Sequence, residues 1–337
     1  MSMQARHAVV GDIGGTHARF GIADIDELRI DHYASFECSG FASLDDVLAA
    51  YLRSMPNHPK AISLAVAGPV VGDAVEMTNL PWTVTKRDIA AASGAEQICL
   101  INDFNAAALS LPYLGHHDVI QIGGAAAPDR ATKAVLGAGT GLGVAALAWA
   151  GGDWFALPGE GGHMAFAAQT AEEFDIVSQI GRDTGYVSCE HLLSGAGLVR
   201  LYGLLGEQSD ALTAPDIVHR AAVDSDPVAI ETVRLFAAWL GRFAGDVALL
   251  YGARGGIYVA GGIAPRILSF LSDGHFRAAF EAKGQLSSYL AEIPIHLVKT
   301  PQAGMMGAAL AYARMLETEP DAPVGQKMPA PAGSGGG

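Results

Sequence analysis

Ala8-Val9-Val10-Gly11-Asp12-Ile13-Gly14-Gly15-Thr16 governs how the rest of the chain is read, because the phrase returns as Ala134-Val135-Leu136-Gly137-Ala138-Gly139-Thr140-Gly141-Leu142-Gly143. Each copy is a short apolar run, a glycine turn and then more β-forming residues, Ala18 to Ile22 after the first and Val144 to Trp149 after the second. That pattern predicts a strand, a tight turn and a returning strand. Glycines in such turns let backbone N–H groups approach a ligand, and concave N–H turns bind phosphate oxygens. Two of them at equivalent points of two halves predict a two-lobed protein that clamps a nucleotide between its lobes.

Working outward, 337 residues suffice for two domains with real cores, and a chain that is 50% hydrophobic and 17% charged is well buried. A formal net charge of −14 argues against nucleic acid as a partner. An acidic protein still binds a polyanion where the field is local, from turn amides, helix N-termini or a metal ion. Cys38, Cys99 and Cys189 are odd in number and widely spaced, which fits a reducing compartment and no structural zinc. The chain shows no signal-peptide pattern and no apolar run of membrane-spanning length, so the expected home is the cytosol and no membrane partner is expected.

In the first half, Ser43-Leu44-Asp45-Asp46 predicts a helix N-terminus with a capping-box-like spacing, the helix running to Met55. Ala61 to Ala67 reads as a buried strand ending at Gly68-Pro69, and Thr85 caps a short helix whose third position is Asp88. Gln97 to Ile101 is a strand running into Asn102-Asp103-Phe104-Asn105 and an alanine-rich helix. Strands with interposed helices make this an α/β pattern. The second half carries a hairpin from Trp149 to Trp154, a loop from Leu157 to His163, a helix from about Thr170 and a break near Ser194-Gly195. A long helix from Pro227 to Leu250 follows, then a strand ending in Gly261-Gly262, a helix started by Pro265, a strand from Ile293 to Val298 and a final helix from Gln302 to Leu316. Beyond Glu317, Pro, Ala, Gly and Ser dominate, and disorder is expected.

Asp12 is either a turn residue or an acid that holds Mg²⁺ through water, beside phosphates cradled by Gly14, Gly15 and Thr16. A turn glycine such as Gly14 also invites φ > 0. No Gly-Lys-Ser/Thr occurs, so neither turn is a P-loop, and the loose dinucleotide spacing at Gly141 is followed by a hairpin rather than a helix. Asp103 stands at the carboxyl end of a strand, where open α/β sheets place ligands, with Asn102 and Asn105 beside it; a helix-capping Asp is the plain alternative. Leu157 to His163 holds Pro and three glycines, so Glu160 and His163 are not a helical metal pair and suit a polyhydroxyl ligand. Glu190, in Ser188-Cys189-Glu190-His191, is the third candidate, with a helix N-terminal acid as its plain reading. His116-His117-Asp118 has the look of a metal site but reads as the cap of a surface loop.

With those phrases in hand the chain resembles the bacterial glucokinases of the hexokinase–actin–Hsp70 superfamily, in the branch distinct from the ROK sugar kinases. The resemblance spans Ala8 to Leu316 and rests on Val10 to Thr16, Ile101 to Phe104, Gly137 to Gly143, Leu157 to His163, Leu193-Ser194-Gly195 and Ala260 to Ile263. It implies a two-lobed actin-like ATPase (ribonuclease H-like) α/β fold with a duplicated βββαβα core. The small lobe would be 1–113 plus 304–317, the large lobe 114–303, and 318–337 a disordered tail. It implies that Asn102, Asp103, Glu160, His163 and Glu190 line the glucose site. Gly11, Asp12, Ile13, Gly14, Gly15 and Thr16 would form the first phosphate loop and Gly139, Thr140 and Gly141 the second, with Gly261 and Gly262 near the adenosine. A cytosolic homodimer is the usual assembly of the family. His17 stands where the family pattern has Asn, and Leu80-Pro81 precedes Trp82 where the family varies; the ROK cysteine–histidine zinc signature and an N-terminal DNA-binding extension are absent.

The resulting expectation is ATP-dependent phosphorylation of glucose at its 6-hydroxyl, with Asp103 as the general base, Mg²⁺ near Asp12, and lobe closure on the sugar keeping water from being phosphorylated. A kinase for fructose or mannose is the alternative, and a sugar-sensing regulator on a kinase fold a more distant one.

Overall fold

Val9, Val10 and Ile13 are fully buried in β1 (His7–Ile13), the strand around which the first sheet is built. The computed structural model describes residues 6–55, 57–206 and 212–318. β1 turns back antiparallel into β2 (His17–Asp24), with Ile13 opposite Ala18, and β2 pairs with β3 (Arg29–Glu37). β4 (Ala61–Val66) lies parallel to β1. β5 (Val70–Val71), β6 (Ala74–Glu76) and β7 (Thr83–Thr85) make a small separate sheet. β8 (Gln97–Asn102) runs parallel to β4, giving the order β3-β2-β1-β4-β8.

Every residue of β4 is buried, as a central parallel strand covered on both faces requires. Ile62, Leu64 and Val66 face the cluster that includes Val47, Leu48 and Tyr51 of α1 (Leu44–Leu52). Ala61 and Ala65 face Met305, Ala308 and Tyr312 of the C-terminal helix, Ala303–Thr318. Ser63 donates to the carbonyl of Ala308 at 2.6 Å, so the one polar residue of the strand is satisfied. α2 (Lys86–Ser93) is capped by Thr85, and α3 (Asp103–Ser110) leaves β8 without a loop. These elements and the C-terminal helix form one unit, made of the residues up to Asp118 and those from Thr300.

Val119–Lys299 form the second unit. Its sheet contains β9 (Val119–Gly123), β10 (Lys133–Ala138), β11 (Leu142–Ala150), β12 (Asp153–Gly159), β13 (Ile257–Ala260) and β14 (Ile295–Val298), in the order β12-β11-β10-β13-β14-β9. β10, β11 and β12 are an antiparallel meander, and β13 lies parallel to β10. The helices are α4 (Ala171–Thr184), α5 (Gly195–Leu205), α6 (Ala214–His219), α7 (Pro227–Tyr251), α8 (Leu268–Leu271), α9 (His275–Glu281) and α10 (Ser287–Glu292). α7 starts with Pro227 at its first position, where a missing N–H costs nothing, and Asp226 accepts from Val228 N and Ala229 N. Gly241 and Gly245 let α9 lie directly on α7: a Cβ at either would fall 2.2 and 2.5 Å from the carbonyl oxygens of Phe276 and Phe280.

Several local expectations are corrected. Leu157, Pro158 and Gly159 are strand rather than loop, paired to Ala146, Ala145 and Val144; β12 is an edge strand, where proline forfeits no ladder bond. The helix from Ser43 ends at Leu52 rather than Met55, and Asp46 accepts from the Ser43 hydroxyl at 3.0 Å. Ser194-Gly195 is not a break but a helix start, since Ser194 caps α5. Pro265 opens a 3₁₀ turn, Ala264–Ile267. Thr318 is still helical, and the remainder of the expected disordered tail, 319–337, lies outside the described residues. No described helix is long and apolar enough to cross a membrane.

Candidate active site

The first glycine turn is held from both ends. Gly14 N donates to His17 O at 3.0 Å to close the β1–β2 hairpin, and Cys38 N donates to Thr16 O at 2.9 Å. The Cys38 thiol points at Gly14 O, 3.5 Å away; burial pushes that thiol above its ordinary range, so it acts as a prop rather than a nucleophile. Gly14 does not adopt positive φ, contrary to expectation, and a Cβ there would meet only His17 O at 3.6 Å. A hairpin of this length closes without left-handed backbone at that position. Beyond the His17 O contact the space over Gly14 is open, and Thr16 is exposed. Gly11 and Ile13 stand inside the strand and serve packing: a Cβ on Gly11 would sit 2.6 Å from Leu64 Cδ2, and Ile13 is fully buried.

Asp12 keeps a fifth of its side chain exposed, next to the turn. Burial raises its carboxyl above the usual carboxylate range, against the pull of Arg19, whose Nη1 lies 3.4 Å from Oδ2 across the hairpin. A partly exposed acid beside an N–H turn fits a hydrated Mg²⁺ carried by a phosphate chain. Among the described residues no group of three or more His, Cys, Asp or Glu could enclose a metal by itself.

Asn102 and Asp103 occupy the junction of β8 and α3. Asn102, not Asp103, is the helix cap: its Oδ1 accepts from Phe104 N and Asn105 N at 3.0 and 3.1 Å. Its amide donates to Gly68 O at 3.1 Å and to Asp103 Oδ1 at 3.0 Å, and Phe104 N adds a bond to the same oxygen at 2.9 Å. The Asp103 carboxylate is thus fixed at the first position of a helix, where the dipole favours negative charge. Ile13, Val66 and Asn102 share one row of the sheet register, so Asp12, one residue before that row, and Asp103, one residue after it, stand near the same strand ends, two strand spacings (about 10 Å) apart across the sheet. Those are the carboxyl ends of the parallel strands. Asn105 follows on α3, and its side-chain oxygen is buried without a hydrogen-bond partner.

In the second unit, Gly139 N donates to Gly141 O at 2.8 Å, and Gly195 N, the first N–H of α5, donates to Gly139 O at 2.8 Å. Thr140 is exposed, and a Cβ on Gly139 would meet nothing. Gly261 has φ +85°, and its Cβ would fall 2.4 Å from Ala138 O, so glycine is required on both counts; Gly262 faces open space. Gly137 pairs with Ala260, which sets the Gly139–Gly141 turn and Gly261-Gly262 side by side at the ends of β10 and β13. Ser194 caps α5 by accepting from Gly197 N at 3.1 Å, and a Ser ahead of a helical apolar run is a cap signal that the sequence carries.

Glu160, His163 and Glu190 are brought together around Gly162. Glu160 precedes and His163 ends a 3₁₀ turn, Gly161–His163, and both are exposed. Glu190 N donates to Gly162 O at 2.9 Å, and Glu190 Oε2 accepts from Leu142 N at 2.8 Å. Leu142 immediately follows the Gly139–Gly141 turn, so one carboxylate oxygen of Glu190 is tied to the nucleotide-side turn. A Cβ at Gly162 would lie 1.9 Å from Leu142 O, so only glycine lets the loop sit there. Tyr186 Oη donates to His163 O at 2.7 Å and steadies the far end. His191 Nδ1 accepts from Ser188 N at 3.1 Å, and Asp118, beside His116-His117, closes a turn by accepting from Gly115 N.

A family model described as glucokinase matches residues 9–315. The glucokinase of Tolumonas auensis is 40% identical over 314 residues, covering 92% of this chain and 98% of that protein. The crystal structure of a glucokinase from an Antarctic psychrotroph superposes with a TM-score of 0.77 at 34% identity, covering 92% and 99% of the two chains. A glucokinase from Balamuthia mandrillaris, solved in complex with glucose, has the same fold at TM-score 0.77 and 22% identity, covering 91% and 94%.

Proposed function

The chain belongs to the glucokinase family, and from that premise we propose that it transfers the γ-phosphoryl group of ATP to the 6-hydroxyl of D-glucose, giving glucose 6-phosphate and ADP. One observation carries the reading beyond the family: the chain gathers an acid-bearing sugar loop, a second acid and a phosphate-type glycine turn around Gly162 and Leu142, through the two hydrogen bonds of Glu190.

A primary alcohol is a poor nucleophile, so a carboxylate takes its proton as the new P–O bond forms; Asp103 does this. Its Oδ1 is committed to Asn102 and Phe104 N, which fixes the orientation of the carboxyl plane. Asn102, Glu160, His163 and Glu190 hold the ring hydroxyls so that the 6-oxygen lies in line with the phosphorus. Gly14, Gly15 and Thr16 carry phosphate oxygens on their amides, as do Gly139, Thr140 and Gly141, while Gly261 and Gly262 leave room for the adenosine. Asp12 would hold Mg²⁺ through water, and that ion supplies charge compensation along the phosphates.

The duplicated βββαβα core belongs to the same proposal. Its support is the equal order of β3-β2-β1-β4-β8 and β12-β11-β10-β13-β14, each an antiparallel meander followed by parallel strands. Small and large lobes at 1–113 plus 304–317 and 114–303, a cytoplasmic location and a homodimer complete the reading. The direct test of the chemistry is ³¹P NMR of the product. A phosphomonoester on C6 of glucose is expected, and a phosphate on C1 would sink the assignment.

A further inference from the structure

Gly304 is the second residue of the C-terminal helix, where alanine would be the more stable choice. Its backbone does not need glycine, since its φ is not positive. Its reason is space. A Cβ at 304 would lie 2.8 Å from Asp12 Cγ, 2.9 Å from Oδ1 and 3.1 Å from Oδ2, and these are its three nearest atoms. The whole carboxyl group therefore rests on the bare Cα of Gly304, and Arg19 Nη1 lies 3.4 Å from its Oδ2.

The surroundings cannot yield. β1 is bonded on both sides, to β2 and to β4. The helix is pinned by the Ser63 hydroxyl on Ala308 O, and by Gly307, whose Cβ would fall 1.8 Å from Ala106 O. A methyl group at 304 is accommodated only by rotating the Asp12 side chain away.

We propose that Gly304 is a positioning residue for the cation acid: the missing side chain holds open the one orientation in which the Asp12 carboxylate serves the magnesium–nucleotide complex. This rests on the role given to Asp12 above. Gly304→Ala, Asp12→Asn and the double variant separate it from a packing role, with MgADP, metal-free ADP in EDTA and glucose each titrated by calorimetry. Expected for Gly304→Ala are at least tenfold weaker MgADP, unchanged ADP in EDTA, unchanged glucose, and a melting temperature equal to or above wild type. In the Asp12→Asn background the same substitution should change MgADP affinity by less than twofold. MgADP affinity within twofold of wild type in Gly304→Ala overturns the proposal. So does an equal loss in both backgrounds, or a joint fall in melting temperature and glucose affinity. A wild-type protein that makes no glucose 6-phosphate but shows the expected MgADP pattern removes the functional reading and leaves the coupling of Gly304 to Asp12 standing.

Discussion

At the scale of single residues, two acids near the same strand ends are held in different ways. Asp103 is fixed through one oxygen by groups that only donate. Asparagine at 103 retains an acceptor there but cannot take a proton. Asp103→Asn should lower kcat by about 10² to 10⁴-fold while glucose binding, followed by calorimetry, stays within a few-fold; turnover within threefold of wild type would remove Asp103 as the base. Asp12 is different, because burial outweighs Arg19 and its carboxyl titrates above the ordinary 3.8. Above the unfolded value the native state binds more protons than the unfolded chain, so this group makes stability fall as pH rises through that window, and the loss persists at neutral pH. Below pH 3.8 both states are protonated and the contribution vanishes. Asp12→Asn should therefore raise the melting temperature at pH 7, with the gain shrinking toward pH 4, while MgATP-dependent activity collapses. A variant less stable than wild type at pH 7 would show that the Arg19 contact, and not burial, dominates. Asp103 was legible from its place after an apolar strand and Asp12 from its glycine neighbours, although Asp12 is the penultimate residue of β1 rather than a turn residue. The Asn102 cap was not, because Asn and Asp are both strong cap formers and adjacent positions compete for the role.

At the scale of elements, turns and loops carry the specificity. Gly14→Val places a branched side chain over a turn with no left-handed strain and no protein neighbour nearer than 3.6 Å. Circular dichroism should match wild type, while KM for ATP rises at least about tenfold, near 1.4 kcal/mol of binding; an unchanged KM would place the phosphates elsewhere. Glu160→Gln and Glu190→Gln weaken charge-assisted bonds worth about 1.5–3 kcal/mol each. KM for glucose should rise roughly 10- to 100-fold while KM for ATP moves far less. Equal movement of the two constants would disqualify these acids as sugar ligands. Strands, the cap at Thr85, the helix starts near Thr170 and at Pro227, and both hairpins could be read from local pattern, since each depends on neighbours in sequence. The extension of β12 through Pro158 could not, because it depends on that strand being at an edge, a tertiary fact. Gly162, Gly195 and Gly304 were equally invisible as site residues, for what each must avoid or bond lies far away along the chain, at Leu142, Gly139 and Asp12.

At the scale of the whole molecule, the repeated glycine phrase foretold two strand–turn–strand cores, and each unit has its turn at the carboxyl end of its central parallel strands. The proposed base and cation acid belong to one unit, and the proposed sugar acids to the other. Hexose choice is the property least accessible to sequence, since it rests on loop geometry within a fold that many sugar kinases share. The most direct test of the central claim is ADP release from ATP and Mg²⁺ across glucose, fructose, mannose, galactose and a no-sugar control. The account predicts the highest kcat/KM for glucose and only a trace rate without sugar. Equal ADP release with and without sugar, or a clear preference for another hexose over glucose, would contradict it.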